Sequence, residues 1–260
     1  MKCGEGAKNM LLEICVDSVE SARGAAENGA DRLELCGDLM VGGVSPSPFL
    51  IEAVQKLDIP VNVLLRPRFG DFCYTQWERD ILLREVEQCR NMGVNGVVLG
   101  ALEPDGRLDR ELLAQLIDAA GPLHKTLHRA FDLCRDASEG LEDAVKLGFD
   151  TILTSGQAAT APAGAELLAD LNRQAAGRVT ILAGSGVKST NLEELARRTG
   201  LRAFHMSARR GEDSPMRFRR AGVPMGLPLA GEYERFYTDP LEVKNARRVL
   251  DQLEKHPISR

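Results

Sequence analysis

Short apolar segments alternate with amphipathic helical stretches along most of the chain. One junction recurs four times: an amphipathic stretch ends at a glycine, one or two polar residues follow, and a short apolar segment begins. The four glycines are Gly29, Gly93, Gly148 and Gly200. Because glycine readily adopts the left-handed conformation that ends a helix, each junction predicts a helix followed by a strand.

Eight segments are predicted as strands, four of them from these junctions and four from apolar runs without the glycine. Helix starts between them are indicated by a capping residue followed three positions later by glutamate, or by Ser47 before Pro48. The predicted strands are 11–15, 32–36, 61–65, 96–99, 125–128, 151–154, 180–183 and 203–206. The predicted capping pairs are Asp17 with Glu20, Thr75 with Glu78, and Thr190 with Glu193.

Strict alternation of strand and helix predicts a parallel sheet joined by right-handed crossovers. Closure into a barrel is favoured because the chain has 260 residues and about eight strand-helix units. The turn after the first strand also lacks the G-x-G-x-x-G pattern of an open dinucleotide-binding sheet. We therefore predict an α/β protein with a (β/α)8 barrel.

We expect one domain over 1–260, with the barrel core at 11–207 and an extension at 208–260. The first part of the extension, 208–238, has no strand-helix repeat and is expected to wrap around the barrel. Asp239, Pro240 and Glu242 then have the spacing of a capped helix start, which predicts a last helix reaching about 254.

Composition narrows the partners and the compartment. Hydrophobic residues make up 43% and charged residues 27% of the chain, as in ordinary globular proteins. A net charge of −5 argues against a nucleic-acid partner. The polar segment 1–10 contains no signal peptide or membrane span, so we expect a cytoplasmic protein without a membrane partner. The six cysteines form no C-x-x-C pair and are expected to be reduced.

Alternation along the first two strands predicts which side chains face the barrel interior. Leucines and isoleucines at every second position are expected to pack against the helices. Glu13 and Cys15 of the first strand, and Glu34 and Cys36 of the second, would then point inward. Two adjacent strands thus repeat one pattern of inward glutamate and cysteine.

Polar residues also lie on, or just beyond, later strands. Groups from several strand ends that converge at one mouth are typical of a catalytic or binding site on this fold. A structural role stays open, because Glu13 or Glu34 could form a buried ion pair with Arg66, and His205 could be a hydrogen-bonded core residue. These further candidates are Asn62, Arg66, Arg68, His128, Asp132, His205 and Ser207.

The last three strands end in small residues, which let backbone N–H groups approach a ligand. In this fold, the loops after strands seven and eight often bind phosphate. Together with Arg66 and Arg68, this pattern indicates a small anionic ligand, although glycines also close tight turns. The small residues concerned are Ser155, Gly156, Gly184, Gly186 and Ser207.

Several segments, in their order and spacing, resemble the CutC family, which is named for copper homeostasis. They are LEICVDSVESARGAAENGADRLELCGDLMVGGVSPS, NVLLRPRFGDFCY, TLHRAFD, ILTSG and HMSAR, followed by MGLPLAGEYERFYTD. Two small departures are Ser45, where many members have threonine, and Ser185, where glycine is common. The resemblance implies a TIM barrel, a cytoplasmic location, a homo-oligomer such as a dimer or tetramer, and a Cu(I) site at Cys15 and Cys36.

Two functions follow as hypotheses. The first is a cytoplasmic copper homeostasis protein that binds Cu(I), which prefers soft thiolates and accepts two of them. The second is an enzyme that acts on a small phosphorylated or carboxylated metabolite, held by Arg66 and Arg68. Its acid/base candidates are Glu13, Glu34, His128 and Asp132. Whether the protein is an enzyme is left open.

Overall fold

The eight predicted strands form a closed parallel barrel in chain order, which confirms the predicted fold class. The structure is a computed structural model that describes residues 10–225 and 231–255. Cys3 and part of the MGLPLAGEYERFYTD segment lie outside the described residues. The strands are β1 (Leu11–Val16), β2 (Arg32–Leu35), β3 (Val61–Leu64), β4 (Gly96–Leu99), β5 (His124–Leu127), β6 (Thr151–Thr154), β7 (Thr180–Ala183) and β8 (Ala203–Met206).

Helices surround the barrel, and the largest apolar core lies between them and the strands. Leu12, Ile14, Leu33 and Leu35 are fully buried in this layer, as the alternation of β1 and β2 predicts. The helices in the described residues are α1 (Val19–Glu27), α2 (Pro48–Val54), α3 (Gln76–Met92), α4 (Arg110–Ala120), α5 (Ala137–Leu147), α6 (Ala165–Ala175), α7 (Leu192–Thr199) and α8 (Pro240–Lys255).

Several helix ends were predicted correctly. Gly93, Gly148 and Gly200 end α3, α5 and α7 in the left-handed conformation. Thr75 and Glu78 form a complete capping box at the start of α3. The Ser47 side chain accepts the Leu50 N–H at the start of α2, with Pro48 at the first position. Local side-chain chemistry therefore sets these boundaries.

Three predicted helix starts were wrong in detail. Helix α1 is capped by Ser18 rather than Asp17, and α7 starts after Asn191 rather than Thr190. Glu242 does not close a capping box: its carboxylate accepts hydrogen bonds from the Ser189 N–H and hydroxyl. Glu242 thus binds Ser189, 53 positions away in the sequence, instead of the backbone at the start of its own helix. Residue spacing alone does not predict such a long-range contact.

The C-terminal extension contains a hairpin that the sequence did not predict. Strand β9 (Arg209–Asp213) pairs antiparallel with β10 (Glu234–Thr238) outside the barrel. The β9 sequence RRGED has no apolar alternation, because its side chains are mostly exposed. No helix in the described ranges is both long and apolar enough to cross a membrane.

Helix α8 joins the end of the chain to its beginning. Arg247 is buried and donates to the Met10 carbonyl at 3.1 Å, to Asp31 at 2.8 Å and to Asp251 at 2.7 Å. Gly29 leaves room for this side chain, because a Cβ there would lie 2.7 Å from Arg247 Cγ. Arg247 therefore connects α8 to the residues that immediately precede β1 and β2.

Candidate functional site

The inward residues of β1 and β2 are offset from each other along the barrel. The strand register places Glu13 opposite Arg32 and Cys15 opposite Glu34. Cys36 follows the end of β2, and its N–H donates to the Val16 carbonyl. The repeated glutamate and cysteine are thus both inward and buried, but the two cysteines are not level.

Glu13 is the centre of a buried ion cluster. Its Oε2 lies 2.5 Å from Arg32 Nε, and its Oε1 lies 2.8 Å from His205 Nδ1. The ion pair with Arg66 that the sequence left open for Glu13 or Glu34 does not occur among the described residues, and Arg32 is the partner of Glu13. Arg32 has the same strand parity as Glu34, so the alternation of β2 could have identified it.

The cluster perturbs each of its titratable groups. Against the effect of burial, Arg32 and His205 lower the pKa of Glu13 to about 2. Burial, together with the nearby charge of Glu13, raises the pKa of Glu34 to about 7 against the lowering effect of His205 and Arg32. Also against burial, Cys15 and Glu34 raise the pKa of His205 well above its ordinary value. The raised pKa favours the imidazolium form of His205, which lies 2.8 Å from the Glu13 carboxylate and 3.9 Å from the Glu34 carboxyl group.

A cavity of about 830 Å³ opens at the carboxyl end of the barrel. This volume lies in the range of small-molecule sites and is far larger than a metal ion needs. The predicted site residues that line it are Cys15, Glu34, Arg66, His128, Asp132, Gly186, His205 and Ser207.

Other predicted site residues lie away from the cavity wall. Asn62 contacts Asn95 and His124 deeper in the barrel. Arg68, in the loop after β3, forms salt bridges with Glu78 and Asp71. Those absent from the lining in the described residues are Glu13, Cys36, Asn62, Arg68, Ser155, Gly156 and Gly184.

Asp132 has a saturated carboxylate. It accepts hydrogen bonds from the Thr154 hydroxyl at 2.5 Å, from the Ser155 hydroxyl at 2.9 Å and from Arg129 Nε at 2.7 Å. It also accepts the Ser155 and Gln157 N–H groups. These contacts suit Asp132 to positioning Arg129 and the β6 loop rather than to moving a proton.

Three cations at the cavity wall were not among the sequence candidates. They are Arg129, Lys188 and Arg209, in the segments after β5, β7 and β8. The Arg209 guanidinium stacks on the Phe236 ring of the hairpin at 4.4 Å. The sequence signal was available, because each lies two to five residues beyond a strand end, but the alternation rule covers only residues within strands.

The two cysteines proposed as copper ligands have different surroundings. Cys15 lines the cavity beside His205. The Cys36 thiol donates to the Val16 carbonyl at 3.5 Å and packs with Leu64 and Val98. Burial, reinforced by the neighbouring Cys15, raises the pKa of Cys36 far above its ordinary value. Cys36 is therefore a protonated thiol at neutral pH.

Comparison with known proteins identifies one family. The CutC family profile matches residues 10–210. A protein of Chromobacterium violaceum named as a CutC family protein is 46% identical over 243 residues, covering 93% of this chain and 98% of the relative.

A mouse protein and a solved structure agree with this match. The Mus musculus protein named copper homeostasis protein cutC homolog is 41% identical over 250 residues, covering 95% of this chain and 92% of the relative. A crystal structure of CutC from Streptococcus agalactiae has a TM-score of 0.73 at 30% identity, covering 76% of this chain and 98% of that one. Sequence and fold thus point to the same relatives.

Proposed function

Since the chain belongs to the CutC family of copper homeostasis proteins, we propose that it binds Cu(I) as cargo through Cys15 and Cys36. The observation that carries this proposal is the position of Cys15, a buried free thiol on the cavity wall and a near neighbour of Cys36. Two soft sulfur ligands are sufficient for Cu(I). The strand offset puts the two thiols at different heights, so the two ligands would come from different levels of the barrel wall.

Binding at these thiols should depend on pH. A metal-bound cysteine is a thiolate, so Cu(I) must displace the proton that Cys36 holds at neutral pH. Each ion bound therefore releases a proton, and the affinity rises as the pH rises.

The test is a competition titration of the reduced protein with Cu(I) against bicinchoninate. We expect Cys15→Ser and Cys36→Ser to weaken binding at least about tenfold, or about 1.4 kcal/mol, because each removes one of two strong ligands. Cys89→Ser is the matched control, since Cys89 is equally buried in the helix layer. Equal affinity in all four proteins would remove the copper proposal.

A second candidate function is the binding of a small anionic metabolite. The supporting observation is the cavity of about 830 Å³ with cationic side chains on its wall, which Cu(I) does not need. Lys188 and Arg209 extend from loops that commonly bind phosphate in this fold.

Mass spectrometry of small molecules released from the purified protein tests this second candidate. We expect an organic acid or phosphate ester from the wild type and its loss from a Lys188→Ala, Arg209→Ala double variant. A control double variant, Lys56→Ala with Arg248→Ala, changes two exposed cations away from the cavity, one in the turn after α2 and one on α8. Retention of the same compound by both double variants would count against a cavity site.

A further inference from the structure

Arg66 is a buried cation whose hydrogen-bond acceptors in the described part of the chain are backbone carbonyls. It is 8% exposed, and no salt bridge to it occurs among the described residues. Its Nη1 donates to the Gly43 carbonyl at 3.2 Å and its Nη2 to the Gly70 carbonyl at 2.6 Å. The Nε–H is buried and has no acceptor among the residues that the structure describes. Burying a charge in this way is unfavourable unless an anion completes the site.

His128 is a buried neutral donor that likewise has an N–H group without an acceptor in the described structure. Its Nδ1 accepts the Ala130 N–H at 3.1 Å, so the ring proton of the neutral form is on Nε2. The side chain is 4% exposed, and its Nε2 has no hydrogen-bond partner in the described structure. Burial and the nearby Arg66 charge hold the pKa of His128 at about 3, so the ring stays neutral.

The two donors contact the same aromatic side chain. The Phe72 ring centre is 4.8 Å from the His128 ring centre and 4.8 Å from the Arg66 guanidinium carbon. Both residues line the cavity. A Cβ on Gly100 would lie 2.3 Å from His128 Cε1, so the missing side chain there lets the ring take this position.

These contacts fix both side chains before any ligand arrives. The backbone of Arg66 is also held, because its N–H donates to the Ser45 hydroxyl at 2.9 Å and that hydroxyl donates to Glu85 at 2.8 Å. Two fixed donors, one cationic and one neutral, complement a single negative charge. A carboxylate fits this better than a phosphate dianion, which needs more donors.

We propose that Arg66 Nε–H and His128 Nε2–H bind the carboxylate of a small organic acid, and that Arg129, Lys188 and Arg209 bind a second acidic group such as a phosphate. The inference rests on the second proposed function and specifies its ligand class. The carboxylate lies at the Phe72 wall, and the more strongly charged group lies among the more exposed cations.

Isothermal titration calorimetry with phosphoglycolate, glycolate and inorganic phosphate tests this arrangement. We expect phosphoglycolate to bind the wild type most tightly. Arg66→Met and His128→Phe should weaken phosphoglycolate binding about tenfold to a hundredfold, as expected for lost hydrogen bonds to a charged group. Both should leave inorganic phosphate binding within about twofold, since its cations remain.

Two variants outside the cavity serve as matched controls. Arg84→Met removes an exposed arginine on α3, and His124→Phe removes a histidine at the opposite end of β5. Neither residue lines the cavity. Both controls should bind phosphoglycolate like the wild type.

The outcomes separate this inference from the function beneath it. If Arg66→Met and His128→Phe bind phosphoglycolate as the wild type does while Lys188→Ala does not, the carboxylate site is overturned and the anion cavity stands. If the wild type binds none of the three probes, both are overturned. Should His128→Phe fail to fold, ¹⁵N NMR of the wild type decides, because bound phosphoglycolate must shift the His128 Nε2 resonance.

Discussion

At the scale of single residues, His128 shows how burial sets a protonation state. Burial and the nearby Arg66 charge favour the neutral form of its ring, and the Ala130 N–H donates to an unprotonated Nδ1. A neutral histidine that keeps its free N–H can donate to an anion, and its charge does not vary across physiological pH.

The low pKa of His128 makes the free energy of unfolding depend on pH in the acidic range. Its pKa falls from 6.5 to about 3 on folding, so the unfolded chain binds the proton more readily. The stability that this group contributes is complete above pH 6.5 and is lost as the pH falls towards 3, by about 1.4 kcal/mol per pH unit. Between pH 7 and pH 5, the free energy of unfolding measured in urea should therefore fall by about 2 kcal/mol less for His128→Phe than for the wild type. Parallel losses in the two proteins would contradict this, and Arg68→Met is the control that should follow the wild type.

Residue identity and strand parity predicted part of the site correctly. They turned Glu13, Cys15 and Glu34 inward, where the structure has them buried. They did not predict which charges pair, because the partner of Glu13 depends on the offset between strands. Asp132 was expected to act in acid/base chemistry, and only its contacts reveal that its oxygens are occupied. The roles assigned to these residues remain predictions.

At the scale of elements, the strands and most helix ends could be predicted because their signals are local. Apolar alternation, a capping side chain and a terminal glycine each act within a few residues. The β9–β10 hairpin could not be predicted in this way. Its strands pair with each other across a long loop, and β9 is mostly exposed, so no apolar alternation marks it in the sequence.

Helix α8 should contribute strongly to stability through one side chain. Arg247→Met removes a buried cation that contacts Asp31, Asp251 and the Met10 carbonyl. Because the acidic partners then lose their buried countercharge, we expect a loss of about 3 kcal/mol in the free energy of unfolding. Urea denaturation measures it, and exposed Arg248→Met should change the value by less than about 0.5 kcal/mol. Equal effects of the two substitutions would mean that α8 is not anchored through Arg247.

At the scale of the whole molecule, chain length and the number of strand-helix units were enough to predict a closed barrel. Closure fixed which strand ends meet, and so placed the predicted polar residues around one mouth. Assembly and location are not encoded in such local patterns. The homo-oligomer, the cytoplasmic location and the division into a core at 11–207 and an extension therefore remain predictions.

The offset between β1 and β2 gives a repeated tripeptide an unexpected result. The sequence E-I-C in β1 and E-L-C in β2 suggests that identical groups lie opposite each other on the two strands. Slid past each other by two positions, they bring unlike groups together, sulfur beside carboxylate and carboxylate beside guanidinium. A repeat in the sequence is therefore not a repeat in space, and each copy of the tripeptide meets a different chemical neighbour at its own level of the barrel wall.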